Sequence, residues 1–210
     1  MAVREIYDAV LAFDGKRAAD RVREELDRGT DVQTILNAGL ISAMDEVGRR
    51  FSEGDLFLPE MLLAAKTMKA GLEVLRPRLS AAAGELLGTV VIATVKGDLH
   101  DIGKNLVAMM LEGAGFKVIN LGADVDADGF VRAAKDNKAD LVCLSALLTT
   151  TMPAMAATVK AVRASGCPAR ILVGGAPVTQ GFADQIGADG YGTDAPGAVA
   201  LARKLMAEPA

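Results

Sequence analysis

The stretch Thr89-Val90-Val91-Ile92-Ala93-Thr94-Val95-Lys96-Gly97-Asp98-Leu99-His100-Asp101-Ile102-Gly103 decides the fold. Its first seven residues are an apolar, β-branched run, its middle is a polar loop, and helical spacing begins at Gly103. Strand, loop and helix in that order open a βα unit. Outward from it, Lys117 to Leu121, Leu141 to Ser145 and Arg170 to Val173 read as further strands, with a weaker fifth around Gly190-Tyr191. Helices are expected near residues 103–114, 126–137, 153–165, 179–186 and 196–207. The repeated βα order predicts an α/β domain with a doubly wound, five-stranded parallel sheet. In the strand order 2-1-3-4-5, the loops carrying His100 and Ser145 flank the point where the winding reverses, and both face one ligand.

The chain before this stretch has a different period. Val32, Ile35, Leu36, Leu40, Met44, Val47 and Phe51 recur at helical spacing, and the region from Ile6 to about Leu75 reads as helix throughout, in four helices of about 10 to 20 residues. Asp14 and Asp31 are expected N-caps and Gly29 and Gly54 expected stops; Pro59 suits the first turn of a helix running to about Leu75. Pro77 is expected to block continuation, and Ser80-Ala81-Ala82-Ala83-Gly84-Glu85 reads as a linker. The expected domains are residues 1–85, a four-helix bundle, and residues 86–210, the sheet domain.

Composition narrows the function classes. Of the 210 residues 51% are apolar, ample for a core, and the net charge of -4 is spread evenly along the chain. Residues 1–85 hold 12 basic and 15 acidic side chains, the remainder 11 and 12. No basic face recommends nucleic acid or an anionic membrane. The first residues lack an apolar signal core, and no run approaches the roughly 20 apolar residues that span a bilayer. A cytoplasmic location is expected. Cys143 lies in an apolar run and Cys167 precedes Pro168, without metal-type spacing or a disulfide-rich context, so both read as structural.

His100 is the only histidine. One imidazole cannot build a multi-histidine metal site from one chain, so its chemistry needs a carboxylate partner or a metal whose other ligands come from elsewhere. In Asp98-x-His100 the carboxylate can accept a hydrogen bond from one ring nitrogen and leave the other as ligand or base, an effect worth roughly 10- to 100-fold in metal affinity or activity. Capping of the following helix is the plainer role open to the same pair. Gly103 removes a side chain where a flat ligand could approach. Ser145, Thr149, Thr150 and Thr151 place hydroxyls at the end of the third strand, where they can bond a polar ligand or cap the helix beginning near Pro153. Gly174-Gly175 follows the fourth strand and leaves room for a ligand's long axis.

Taken together, Asp-x-His-x-x-Gly, Ser-x-Leu and Gly-Gly in this order resemble the cobalamin-binding domain of methionine synthase and of the small corrinoid proteins of methyltransferase systems. Gly39-Leu40-Ile41-Ser42-Ala43-Met44-Asp45-Glu46-Val47-Gly48 and Phe51-Ser52-Glu53-Gly54-Asp55-Leu56-Phe57-Leu58-Pro59-Glu60-Met61-Leu62 are similar to that family's helical cap. The resemblance spans practically the whole chain. It implies a Rossmann- or flavodoxin-like B12-binding domain beneath a cap. It also implies His100 as the lower axial ligand of cobalt, Asp98 as its hydrogen-bond partner and Thr151 completing a relay where methionine synthase has serine. Gly97, Leu99, Asp101 and Gly103 belong to the same motif. Ser145, Leu147 and Thr149 would line the tunnel for the cofactor's nucleotide tail, Gly174 and Gly175 would open it, and Asp194 and Ala195 would touch the tail. Phe51 and Leu58 would cover the upper face.

The implied cofactor is cobalamin, cycling between cob(I)alamin and methylcob(III)alamin, and the implied role is a methyl carrier rather than an enzyme on its own. Implied partners are a donor-specific methyltransferase, a second methyltransferase delivering to tetrahydrofolate or coenzyme M, and a reductive activase. Methylamines, methanol, glycine betaine and methoxylated aromatics are all donors of such systems. A cobalamin-dependent sensor uses the same fold and histidine, but it would normally need a DNA-binding module, and the first 85 residues are acidic and taken up by the cap pattern. A phosphoryl receiver on this topology needs an acidic cluster that Asp98 and Asp101 barely supply.

Overall fold

Strand β1 (Thr89–Thr94) is buried at every position after its first, and β3 (Leu141–Ser145) at every position before its last. Strands covered on both faces read as unbroken apolar runs, which is why these two are plain in the sequence. β2 (Lys117–Asn120), β4 (Arg170–Gly174) and β5 (Gly190–Gly192) complete a wholly parallel sheet of order β2-β1-β3-β4-β5. The winding reverses between β1 and β3, where Thr94 stands opposite Ser145 in register. The expected strand order is the observed one.

The computed structural model describes residues 2–81 and 87–207 and divides into two units, Met1–Leu86 with Glu112–Gly115 and Leu87–Leu111 with Phe116–Ala210. In the second, the strands alternate with α6 (Ile102–Gly113), α7 (Ala127–Asp136), α8 (Met152–Ala164), α9 (Gln180–Ile186) and α10 (Ala195–Ala207). Val91, Ala93, Val142, Leu144, Ile171 and Val173 meet Phe130 of α7 and Met155, Val159 and Val162 of α8 in one buried cluster. Fully burying a side chain of this size contributes about 2 kcal/mol relative to exposure.

The helical unit holds α1 (Ala2–Leu11), α2 (Gly15–Asp27), α3 (Val32–Thr34), a π-helical stretch Ile35–Ile41, α4 (Ser42–Glu53) and α5 (Leu58–Ala81). Asp14 and Asp31 cap α2 and α3 through Arg17 N and Thr34 N, and Gly54 ends α4 in the left-handed conformation that a side chain would disfavour. Two features depart from expectation. Residues 32–53 form one continuous helical segment whose middle is π-helical, and five of its seven π residues are buried. The wider turn lets Ile35, Leu36, Gly39, Leu40 and Ile41 all point inward, more than one α-helical stripe would hold.

Pro77 does not stop α5, which continues to Ala81. Its ring is exposed and the Glu73 carbonyl it leaves unbonded lies on an exposed residue, so water can take the place of the missing N–H. Ser80 and Ala81 are therefore helix, and the rest of the expected linker, residues 82–86, lies outside the described residues. No described helix is long and apolar enough to cross a membrane.

Candidate functional site

Parallel strands deliver all their carboxyl ends to one edge of the sheet, so the loops after β1, β2, β3 and β4 gather there. The loop after β1 puts Asp98 in a fully buried position. Its Oδ1 accepts from His100 Nδ1 at 2.7 Å and from His100 N at 3.1 Å. Its Oδ2 accepts from Leu147 N at 2.7 Å, Leu148 N at 3.3 Å and the Thr151 hydroxyl at 2.9 Å. Both oxygens are thus held by donors from two loops.

Burial alone would raise the Asp98 carboxyl, but the Leu147 amide, both His100 donors and Thr151 together hold it well below the usual carboxylate range. It is an anion, and an anion only accepts. The proton between it and His100 therefore sits on Nδ1, so that in the neutral ring the lone pair is on Nε2. The His100 ring is about half exposed, with its side chain at 51%, and Nε2 makes no hydrogen bond among the described residues. A buried carboxylate thus holds one end of the imidazole and leaves the other outward as a base or ligand. The Thr151 hydroxyl also lies 2.9 Å from the Leu148 carbonyl, so its single proton can turn from Asp98 to that oxygen.

The surroundings suit a broad, mostly apolar ligand. Leu99 and Ile102 beside the histidine are 76% and 72% exposed, and Leu147 and Leu148 are also exposed. A side chain added at Gly103 would meet nothing. Exposed apolar groups ringing a polar anchor are the composition of a cofactor bed. The donor set and this collar fit a corrin whose cobalt takes one imidazole from the protein.

The other expected residues fall as follows. Gly97 N donates to Asp124, and Asp101 accepts from the Asn105 side chain. Ser145 is half-buried at the end of β3 and Thr149 is exposed in the single 3-10 turn Thr149–Thr151; neither hydroxyl bonds another described residue. Gly174 O accepts from Ala146 N. Gly175 has a reason for lacking a side chain that involves no ligand: at φ 125° its Cβ would lie 1.8 Å from the Ala146 carbonyl oxygen. The Asp194 carboxylate caps α10 through Gly197 N at 2.7 Å, and Ala195 is buried in that helix's first turn. Phe51 is half-buried near the end of α4 and Leu58 is 39% exposed at the start of α5, both in the helical unit. Burial pushes the Cys143 thiol up to about 12, which keeps it neutral.

Several groups at the same loops are not singled out by the sequence. The Thr94 hydroxyl, inside β1, donates to the His100 carbonyl at 2.9 Å. Lys104, which is buried and thereby lowered in pKa, donates to the side-chain oxygens of Asn105 and Asn120. Asp124 bonds the histidine loop directly. Only Asp124 carries a signal the sequence could have shown, a polar residue in the loop after a strand of a parallel sheet; Thr94 lies within β1 and Lys104 within α6.

A family model described as a B12 binding domain matches residues 88–200, and a second of the same description matches residues 2–76. The chain is 43% identical to trimethylamine corrinoid protein 1 of Methanosarcina acetivorans, over 97% of this chain and 96% of that one. It is 42% identical to dimethylamine corrinoid protein 1 of the same organism, over 95% and 91%. Among solved structures, the methanol:cobalamin methyltransferase complex MtaBC of Methanosarcina barkeri contains a chain matching with TM-score 0.88 and 30% identity, over 99% of this chain and 80% of that one.

Proposed function

The chain belongs to the B12-binding corrinoid proteins, and from that premise we propose that it carries a methyl group between the enzymes of a methyltransferase system. The observation that carries this reading is the Asp98–His100 pair, with its buried carboxylate and outward Nε2. When bound, cobalamin supplies the metal centre that accepts and releases the methyl group. The protein supplies one nitrogen, an apolar bed and a means of adjusting that nitrogen. Asp98 keeps Nδ1 protonated and so raises the donor strength of Nε2. Thr151 and the Leu147 amide would keep the Asp98 carboxylate in place as the acceptor for Nδ1–H, so that the ring stays aimed at the cofactor.

His100 would hold cobalt. Gly97, Asp98, Leu99, Asp101, Gly103 and Leu147 would shape the bed, and Ser145, Thr149, Gly174, Gly175, Asp194 and Ala195 would flank the nucleotide tail. Residues 1–85 would serve as the cap, with Phe51 and Leu58 as apolar cover, and residues 86–210 as the cofactor domain. The proposed setting is cytoplasmic, with a donor-specific methyltransferase, a second methyltransferase using tetrahydrofolate or coenzyme M, and a reductive activase. Methylamines are the donor class to test first, because a trimethylamine and a dimethylamine corrinoid protein match at 43% and 42% identity over nearly the whole chain.

Electron paramagnetic resonance of the protein loaded with cob(II)alamin tests the site. Nitrogen splitting present in the native protein and lost in His100→Ala is expected; its absence from the native protein, or its survival in His100→Ala, overturns the assignment. Cobalt methylation on adding trimethylamine and a trimethylamine-specific methyltransferase then tests the donor. Methylation only with methanol and its enzyme would reassign it.

A further inference from the structure

Asp124 lies in the connection between β2 and α7 at φ 59°, the left-handed region that side chains other than Asn and Asp seldom enter. From there it bonds three successive residues of the histidine loop. Oδ2 accepts from Lys96 Nζ at 3.1 Å, Oδ1 accepts from Gly97 N at 2.8 Å, and its own N donates to the Asp98 carbonyl at 3.0 Å. Val125 continues the same edge, donating to the Thr94 carbonyl at 3.1 Å and bridging to Val95. The main chain of residues 96–98 is therefore clasped by Asp124, with Thr94 and Val95 further held by Gly122, Val125 and Ser145, while the Asp98 carboxylate is held by His100 and by residues 147–151.

These two sets of bonds meet at one residue. The Asp98 carboxylate reaches His100 Nδ1, Leu147 N and Thr151 only if its own backbone is correctly aimed. The residue before it is Gly97, whose backbone is the least restricted of any type. Without an external tether, rotation at Gly97 would swing the carboxylate, and hydrogen bonds weaken steeply with angle. Asp124 is that tether: it holds the peptide before Gly97 and the peptide after Asp98, while Asp98 N closes the turn between them by donating to the Val95 carbonyl at 3.2 Å. An uncommon backbone conformation kept beside a site is a recurrent mark of such positioning.

We propose that Asp124 is a positioning residue for the axial histidine: by clasping residues 96–98 it aims the Asp98 carboxylate and so sets which ring nitrogen of His100 carries the proton. The proposal rests on His100 as the axial ligand, and the experiment separates the two. Because His100 is the only histidine, its ring nitrogens give unambiguous signals in 15N-labelled apoprotein. Asp124→Gly removes the carboxylate while suiting the positive φ, and Asp124→Asn keeps an oxygen for Gly97 N.

In Asp124→Gly the ratio of Nδ1-protonated to Nε2-protonated ring is expected to fall about ten-fold, the lower end of the effect of losing an outer hydrogen-bond partner. Asp124→Asn is expected to restore most of it. On loading with cob(II)alamin, the glycine variant is expected to show nitrogen splitting in a smaller fraction of the sample than the native protein. Native ring shifts together with native splitting in Asp124→Gly overturn the proposal, even where the unfolding midpoint falls, because that pattern describes a loop strut alone. If the native loaded protein shows no splitting, the axial reading falls, and the apoprotein shifts alone decide Asp124. Should Asp124→Gly not fold, Asp124→Ser is read by the same signals, with a fall in the ratio supporting the proposal and an unchanged ratio overturning it.

Discussion

The helical and sheet halves both hold many charged groups, but they place them by bonds of different reach along the chain. In the helical half, Arg4–Asp8, Arg23–Asp20, Arg28–Glu25, Arg49–Glu46 and Arg50–Glu46 pair three or four residues apart on single helices. Such pairs form wherever the helix forms, and where both partners face water the solvent screens them. In the sheet half, Asp98 is bonded by residues 49, 50 and 53 positions away, and Asp124 by Gly97 at 27. These bonds exist only once β1, β2 and β3 lie side by side. Apart from Arg21–Glu5, which joins α1 and α2, the ion pairs of helices α1 to α5 are thus local and separable, whereas the site is a property of the assembled sheet.

One tyrosine stands in each half, Tyr7 in α1 and Tyr191 in β5, and there is no tryptophan, so Tyr7→Phe leaves an emission signal from the sheet half and Tyr191→Phe one from the helical half. The largest expected effect is that of Gly175→Ala. A methyl 1.8 Å from the Ala146 carbonyl oxygen forces apart the loops after β3 and β4, since neither neighbour is the free end of a side chain. A loss of about 4 kcal/mol or more is expected in urea unfolding followed through Tyr191, and a shift below about 1 kcal/mol would mean that these loops yield easily.

Asp98→Ala comes next. It leaves Leu147 N and His100 N without their acceptor and returns the Thr151 proton to Leu148 O, so about 3 kcal/mol is expected on the same signal. Gly54→Ala is the helical counterpart of the first change. Its φ is 82°, yet an added Cβ meets nothing within 4 Å, so only backbone strain of about 1 kcal/mol is expected, read through Tyr7. Equal losses for Gly54→Ala and Gly175→Ala would break the comparison.

The same distinction governs what can be read from the sequence. Leu141–Ser145 is legible because a doubly covered strand must be apolar throughout, and Asp14, Asp31 and Gly54 are legible because a helix end needs its partner within a few residues. Asp98 and His100 are legible because their contact spans two positions. Thr151 is legible as a strand-end hydroxyl, but its link to Asp98 comes only through resemblance, since nothing local ties a threonine to an aspartate 53 residues earlier. Asp124 is silent for the same reason, since Gly97 lies 27 residues away across the β1–β2 pair and a lone Asp in a loop looks like any turn residue; Thr94 is silent because a threonine inside a strand reads as a strand former, although its partner His100 is only six residues on. Gly175 is visible as a glycine, but the neighbour that demands it is the Ala146 carbonyl rather than ligand space. Pro77 and the π-helical Ile35–Ile41 depend on what each helix face meets, solvent in one case and core in the other.

The smallest effect expected, Glu46→Gln, tests the local side of the comparison through pH and salt. The Arg49 and then the Arg50 guanidinium hold the Glu46 carboxyl down to about 2. A folded-state value below the unfolded one near 4.3 means that the pair's contribution is complete above that pH and disappears as pH falls toward 2. The gap in unfolding midpoint between native protein and Glu46→Gln, followed through Tyr7, should therefore be constant from pH 7 to about 5 and close below 4. Because Arg49 is solvent-facing, roughly 1 M salt should shrink that gap, as the screening length drops to about 3 Å. The gap for Asp98→Ala should move much less with the same salt, since apart from the His100 ring its donors are backbone amides and a hydroxyl, all touching a fully buried carboxylate. If salt closes both gaps alike, Asp98 is held by surface electrostatics after all, and the contrast between local surface pairs and an assembled site does not stand.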